Sequence, residues 1–369
     1  MKSKPSPLKI GLINTRGLPA RYGAYEQTIE QMVKFNSKYP DDYLFFVPCI
    51  GSVYKEAYQA TNVVRGRIYR PNGGYGALVY GLLSFFWAYS RGCRQFFFFG
   101  YSLAPFFWFF SLIGCQLVCN TDGIEWRRAK WGKYAKRFLK FCEWCAVKSR
   151  AELVFDADAI ARYYMLNHSR KGNVIFYGTE SYQAVSGQGL IESAAKILQP
   201  HGLKERDYDV LVMRLEPENN IEMIVEGYKI HKTRRKLLII GPSTAFFDLN
   251  IKQKVKKSKK MVYLGAIYDR ATLMSIRENA NCYIHGHSVG GTNPVLVEAV
   301  SLGRPVVAFG SVFNKEVLGR KGLYFRNARG VANCLNRLEN EGICVLPELD
   351  IRYSWEYIFR RYMELIKGK

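Results

Sequence analysis

Two tandem doubly wound α/β domains, each Rossmann-like, are the fold this sequence predicts, and three observations carry that expectation. The chain has 369 residues, more than one core fills comfortably. A strand, a glycine-containing loop and a helix open it: Leu8–Asn14, Thr15–Glu26, then Glu26–Asn36 with Ile29, Met32 and Val33 on one face. The same order restarts near Tyr208, with a strand over 209–213, a loop over 214–220 and a helix over Ile221–Ile230. The domains expected are therefore 1–182 and 190–350. The small, polar stretch 183–189 reads as a linker, and a last helix over 351–369 reads as packing back on the first domain.

Composition narrows the function. A net charge of +23 calls for a partner of opposite sign: nucleic acid, an anionic membrane surface or phosphorylated substrates. The basic residues are dispersed and no nucleic-acid-binding motif occurs, so nucleic acid is not expected as a partner. Nine cysteines follow a polar, basic N-terminus with no apolar signal segment, which reads as a cytoplasmic protein with reduced thiols. Cys142 and Cys145 form a Cys-x-x-Cys without a second ligand pair, and no metal is expected.

In the first half, Gly17 and Gly23 lack the spacing of the dinucleotide fingerprint, so a nicotinamide enzyme is not signalled. Arg16 and Arg21 in that loop either meet phosphate or an anionic acceptor, or are solvated. Tyr43–Cys49 reads as a strand and Ala77–Tyr89 as an apolar helix. The run from Phe96 to Ile113 carries no charge and is long enough for a membrane span of roughly 20 residues. Gly100, Pro105 and Gly114 interrupt it, so strand, turn, buried helix and strand account for it without a membrane; shallow insertion of part of the cluster is the second reading. Asp122 and Glu125 follow the strand at 116–119, where ligands gather in doubly wound sheets. Asp122 beside Gly123 also reads as a turn residue. Arg127–Arg150 is expected to be a basic amphipathic helix. Trp131, Tyr134, Phe138, Phe141 and Cys145 lie on one side of it, and Lys130, Lys133, Lys136, Arg137 and Lys140 on the other. That pattern fits either a helix on an anionic bilayer or a core-packed helix with a solvated face. Strands at 153–156 and 173–177 complete the first domain.

In the second half, Lys236–Ile240 and Met261–Leu264 read as strands, Lys252–Lys260 as a solvated charged face, and Asp269–Asn279 as a helix. A short strand at 281–284 then leads into a glycine-rich loop over 285–292. Asn293 is suited to cap a helix that starts at Pro294 and runs to Leu302, where Gly303 stops it. Backbone N–H groups and a helix dipole converge there, as they do where anions bind. Glu298 stands on the apolar stripe of that helix. It is either a functional carboxylate or an edge residue in a local salt bridge. A strand at 305–309, a short one at 322–325 and two helices follow.

With these segments in order, the sequence resembles the GT-B nucleotide-sugar transferases, and among them glycosyltransferase family four. Four motifs look like the bacterial rhamnosyltransferase-type subgroup: residues 15–26, 122–131, 214–220 and 285–294. The likeness spans about residues 8–310. It implies a GT-B fold with two domains facing a cleft. It also implies metal-independent, retaining transfer of a sugar, rhamnose in the subgroup, from a dTDP- or UDP-linked donor. The implied acceptor is a lipid-linked oligosaccharide at the cytoplasmic face of the bacterial membrane, in capsule, O-antigen or cell-wall synthesis. The enzyme would sit peripherally on that anionic surface and need no cofactor. By position, the resemblance puts Asp122, Arg214 and Glu298 in catalysis, with Glu298 on the ribose hydroxyls and Arg214 on the diphosphate. Gly17, Ser288, Gly290, Gly291, Thr292 and Asn293 would hold the donor; Arg16, Arg21, Tyr22 and Glu125 would face the acceptor. Two positions depart from the wider family. Gly290 stands where a Glu is usual, and Asn219 and Asn220 stand near a usual Lys. Ser288, His287 or a backbone amide is expected to replace the Glu, and Arg270 the Lys. The alternative from another class is a non-catalytic sugar-nucleotide or polysaccharide-binding subunit.

Overall fold

The computed structural model describes residues 6–20, 23–38, 42–73, 75–128, 131–179, 190–341 and 349–367. The chain divides into two compact units, Met1–Gly178 with Ile351–Lys369, and Thr179–Asp350. Arg21, Tyr22, Lys130 and the expected linker 183–189 lie outside the described residues.

The first unit is built on a parallel sheet of seven strands: β1 (Leu8–Ile13), β2 (Tyr43–Cys49), β3 (Val63–Arg67), β4 (Gln95–Phe99), β5 (Gln116–Asn120), β6 (Glu152–Phe155) and β7 (Asn173–Val174). Their order is β3-β2-β1-β4-β5-β6-β7. Central parallel strands are covered on both faces, so they read as unbroken apolar runs. That is why Phe96–Phe99 can all be aromatic. Phe97 and Phe99 enter the core on one face, where Phe97 meets Tyr362 edge-on. Phe96 and Phe98 face Phe85 and Phe107 on the other. The rest of the aromatic run makes a 3-10 turn (Ala104–Phe106) and a helix of six residues (Phe107–Leu112). Among the described residues, no helix is long and apolar enough to cross a membrane. The helix Trp355–Lys367 belongs to this unit: Trp355, Ile358, Phe359, Tyr362 and Met363 join the core, and Asn120 donates Nδ2–H to the Tyr362 hydroxyl at 2.7 Å.

One strand was not expected, and one expected helix needs correction. Strand β3 had no sequence signal, because Arg65 and Arg67 break its apolar run; the Arg65 guanidinium is used on the carbonyls of Val53 and Glu56, both at 2.9 Å. The basic helix begins at Lys133, not Arg127. Glu125–Arg127 form a separate 3-10 turn, and Gly132, in extended backbone, caps the helix. Trp131 precedes the helix and donates Nε1–H to Glu125 at 2.9 Å.

The second unit repeats the plan with β8 (Tyr208–Val212), β9 (Lys236–Ile240), β10 (Met261–Gly265), β11 (Tyr283–His285), β12 (Val306–Phe309) and β13 (Leu323–Phe325). All are parallel, in the order β10-β9-β8-β11-β12-β13. The charged run at 252–260 is not wholly a solvated face. Its first turn, Lys252–Lys256, is helical and buries Val255, while Lys252 and Lys254 pair with Asp248 and Glu222. In both sheets the strand order reverses beside the first strand. The carboxyl ends of β1 and β4, and of β8 and β11, are therefore where a ligand crevice opens.

Candidate functional site

At the β8/β11 ends, two loops are tied to each other. The loop after β8 closes on itself when Asn219 donates Nδ2–H to the Arg214 carbonyl at 2.7 Å. Asn220, in left-handed backbone, donates across to the Gly286 carbonyl at 2.8 Å. Ser288 returns the connection, donating its hydroxyl to the Glu218 carbonyl at 2.7 Å. Gly286 is required by this closeness, because a Cβ there would lie 2.0 Å from the Asn219 carbonyl oxygen. The departures at Asn219 and Asn220 thus have a local cause: both side chains brace loops. The Ser288 hydroxyl is engaged in the same way. Arg214 is exposed, and its guanidinium makes no hydrogen bond among the described residues. Gly290 has φ of +109° with open space around it, so the backbone alone accounts for glycine there. Arg270 opens the helix Arg270–Glu278 on an exposed turn capped by Asp269.

The helix after this loop runs from Pro294 to Ser301, and the Asn293 carboxamide accepts a hydrogen bond from the Val295 amide at 3.0 Å. Thr292 is buried and Gly291 half-buried at the mouth of the loop. On the helix, Glu298 has a partner the sequence reading missed. Arg277, 1% exposed, donates Nη1–H to Glu298 Oε2 at 2.8 Å and Nη2–H to the Val295 carbonyl at 2.8 Å. Burying a guanidinium is costly unless it is paired. Here it locks one carboxylate oxygen to the helix. The Glu298 side chain stays 22% exposed, and Oε1 takes no hydrogen bond among the described residues. The salt bridge expected of an edge residue exists, and it leaves one oriented acceptor oxygen. Arg277 was detectable as a cation one turn after Met274 on the buried side of its helix. Beneath the loop, His285 is fully buried and stacks on His287 at 4.5 Å. Burial, then the neighbouring His287 and Arg277, hold its pKa well below the ordinary range, so the ring is neutral.

At the β1/β4 ends, the first unit has a cavity of about 310 Å³ lined by Asn14, Arg16, Tyr25, Glu26, Arg70 and Ser102 among others. Glu26, unrecognised as a site residue from sequence, is buried and accepts the Arg16 amide at 2.8 Å. Asn14 reaches across to β4, donating to the Gly100 carbonyl and to Ser102 at 3.3 Å. Gly17 has φ of +102°, and a Cβ there would lie 2.4 Å from the Cys49 sulfur, so only glycine fits. On the neighbouring loop after β5, Asp122 also takes left-handed backbone. Burial raises its pKa and Glu125 adds to the rise, against the opposing charge of Arg128. Both Glu125 oxygens are engaged, by Arg128 and by Trp131, each at 2.9 Å. Tyr25 connects cavity and loop: its phenol is raised by burial and by the Asp122 charge. Cys142 and Cys145 are free thiols, and among the described residues no group of three or more His, Cys, Asp and Glu could hold a metal.

Comparison with known proteins fits this geometry. Residues 208–341 match the family model described as Glycosyl transferases group 1, and residues 8–180 match one described as Domain of unknown function (DUF1972). No curated protein matches the chain. Among solved structures, the chain is similar to Anabaena Alr3699/HepE in complex with UDP, at 14% identity and TM-score 0.74, over 98% of this chain and 100% of that one. It is similar to the sucrose-phosphate synthase of Thermosynechococcus elongatus at 14% identity and TM-score 0.77, over 98% of both chains. The UDP-forming trehalose-phosphate synthase of Burkholderia xenovorans matches at 13% identity and TM-score 0.71, over 98% of this chain and 100% of that one. At such identities the likeness is one of fold, and that fold is GT-B. The stretch of the second unit that matches Glycosyl transferases group 1, residues 208–341, contains the loops after β8 and β11 and the helix that carries Glu298.

Proposed function

We propose that the protein is a family-four glycosyltransferase of the rhamnosyltransferase type. It moves a sugar from a nucleoside-diphosphate donor to a lipid-linked oligosaccharide, in bacterial surface polysaccharide synthesis at the cytoplasmic membrane face. The observation that carries the reading is the Glu298 carboxylate. One oxygen is fixed by Arg277 and the other is left to accept from a ligand hydroxyl, at the ligand end of a doubly wound sheet. A ribose presents such hydroxyls. Arg214, exposed and unpaired among the described residues, meets the diphosphate. Amides at Gly290–Thr292 and the dipole of the helix starting at Pro294 add donors. Together they stabilise the negative charge of the departing nucleoside diphosphate without a metal. Ser288 acts by fixing the loop that presents these amides. In the first unit, Arg16 and the cavity at β1/β4 take the acceptor, with Asp122 and Glu125 on the adjoining loop. The sugar is transferred with retention at its anomeric carbon.

The test is a panel of UDP- and dTDP-linked sugars, including UDP-glucose and dTDP-rhamnose, scored by thermal stabilisation and by release of nucleoside diphosphate with lipid-linked acceptor. Glu298→Ala should weaken donor binding at least about tenfold, since a hydrogen bond to a charged group contributes about 1.5–3 kcal/mol. Unchanged donor affinity would remove Glu298 from the ribose role. Tight nucleotide binding with no turnover on any donor would favour the non-catalytic binding subunit, a reading motivated by the missing carboxylate at Gly290.

A further inference from the structure

The Lys133–Lys148 helix has a charge pattern unlike the other exposed basic helices. Its cations are Lys133, Lys136, Arg137, Lys140 and Lys148, and its one acid is Glu143. Glu143 is buried. It accepts from the Trp126 indole at 2.9 Å and the Tyr163 hydroxyl at 2.7 Å, and faces His168 Nε2 at 3.0 Å. None of the five cations, nor Arg150 beyond the helix, has an ion pair among the described residues. Some exposed lysines elsewhere are paired, as at Lys229–Glu226 and Lys252–Asp248. Like charges at Lys133/Arg137 and Lys136/Lys140 repel at i,i+4 spacing, which costs stability unless an anion covers them. A cavity of about 350 Å³ lies among Trp126, Arg127, Lys133, Lys136, Arg137 and Lys140, with Lys140 Nζ 4.2 Å from the Trp126 ring centre.

The same helical row, Lys136–Lys140–Trp144–Lys148, continues into a second groove of about 360 Å³. Ala104, Pro105, Trp108, Leu112 and Trp144 line it, together with Lys148 and Arg150. Its apolar walls are open to solvent: Trp108 is 72% exposed, Leu112 65% and Trp144 53%. The helix Phe107–Leu112 buries Phe107 and Phe110 and turns Trp108, Phe109 and Leu112 outward. The buried Phe110 ring packs against both Phe109 and Phe86, which is itself exposed on the helix Gly76–Tyr89. The sequence held an aromatic cluster and a basic helix as separate features. The fold puts them side by side. Exposed aromatics bordered by unpaired cations match the two layers of an anionic bilayer, acyl chains inside and phosphates outside.

We infer that this side of the first unit docks on anionic phospholipid. Trp108, Leu112 and Trp144 enter the acyl boundary, Lys148 and Arg150 meet a lipid phosphate at the groove, and the cavity beside Trp126 takes a second headgroup. The inference specifies the membrane contact of the proposed transferase, and its test does not use transfer activity.

The full chain is sedimented with vesicles of phosphatidylcholine alone and with 30% phosphatidylglycerol. Binding is expected only to the second, and about fivefold weaker for each cation removed near the surface. Lys133→Glu with Lys136→Glu and Lys140→Glu should therefore lose at least about a hundredfold. Trp108→Ser with Leu112→Ser changes only exposed side chains, so the fold is kept, as thermal unfolding will verify. It should lose about tenfold or more and leave the remainder sensitive to salt. Absence of binding to phosphatidylglycerol, or binding indifferent to both variants, overturns the inference. So does tighter binding to a single-stranded RNA oligonucleotide than to the vesicles. Donor turnover retained by a protein that ignores vesicles would discard the docking face and keep the transferase reading.

Discussion

At the ends of β8 and β11, polar side chains hold the loops; at the ends of β1 and β4, they line a cavity. In the second unit Asn219, Asn220 and Ser288 bond to carbonyls of the two loops, and Arg277 holds Glu298. Few groups remain for a ligand, chiefly Arg214 and one Glu298 oxygen, and the carboxylate is held in place by Arg277. In the first unit Arg16, Arg70, Tyr25 and Glu26 surround open space, and the carboxyl of Asp122 carries a raised pKa. One sheet order thus supports a site whose polar side chains are spent on its loops and a site that keeps an open cavity. A braced site suits a ligand of constant shape, as a nucleoside diphosphate is. An open, charged cavity suits a ligand that varies between related proteins.

The comparison can be broken by removing a brace. Arg277→Met leaves Glu298 without its partner and should destabilise the second unit by about 3 kcal/mol, read from urea unfolding. It should also abolish donor stabilisation. Wild-type stability in this variant would mean that the pair does not brace the site. Asn220→Ala is expected to come next, at about 2 kcal/mol. It loses the bond to Gly286 and replaces Asn, which tolerates left-handed backbone, with a residue that does not at φ of +53°. Asn220→Gly keeps the backbone and should recover part of the loss; equal losses in the two variants would assign the whole effect to the hydrogen bond.

The smallest effect is expected in the first unit and has the opposite sign. The Asp122 pKa is raised on folding, so ionising this carboxyl works against the fold. Below its unfolded pKa, about 3.9, it is protonated in both states and costs nothing. As pH rises through the folded value, stability is lost. Asp122→Asn tolerates the left-handed backbone and should raise the melting temperature at neutral pH, with the gain vanishing below about pH 4. A variant less stable than the parent at neutral pH would show that Asp122 is held by favourable contacts instead.

What the sequence disclosed follows from the range of the forces involved. Asn293 and Pro294 as a helix start, and Phe96–Phe99 as a buried strand, depend on neighbours within a few residues, and both stand in the fold. The extent of the basic helix did not follow, because Glu125 captures Trp131 and Gly132 resets the start. Periodicity sees neither event. Arg277 and Glu298 are 21 residues apart, and nothing in the composition of either helix announces the other. The bracing roles of Asn220 and Ser288 were equally hidden. They act across loops 66 and 70 residues distant, and polar residues in glycine-rich loops read as ligand contacts when their partners are unknown. Resemblance could locate these residues, but only the fold separates those that hold the loops from those left facing outward.

The helix Trp355–Lys367 has a consequence for synthesis. It completes the core of the first unit, yet it is translated after the whole of the second. The first sheet must therefore emerge from the ribosome with one face bare, exposing Phe97, Phe99 and Val118 until Trp355, Ile358 and Tyr362 arrive. The second unit is contiguous in sequence and meets no such delay. Vectorial translation thus favours closing the later unit first, and chaperone demand should concentrate on the earlier one.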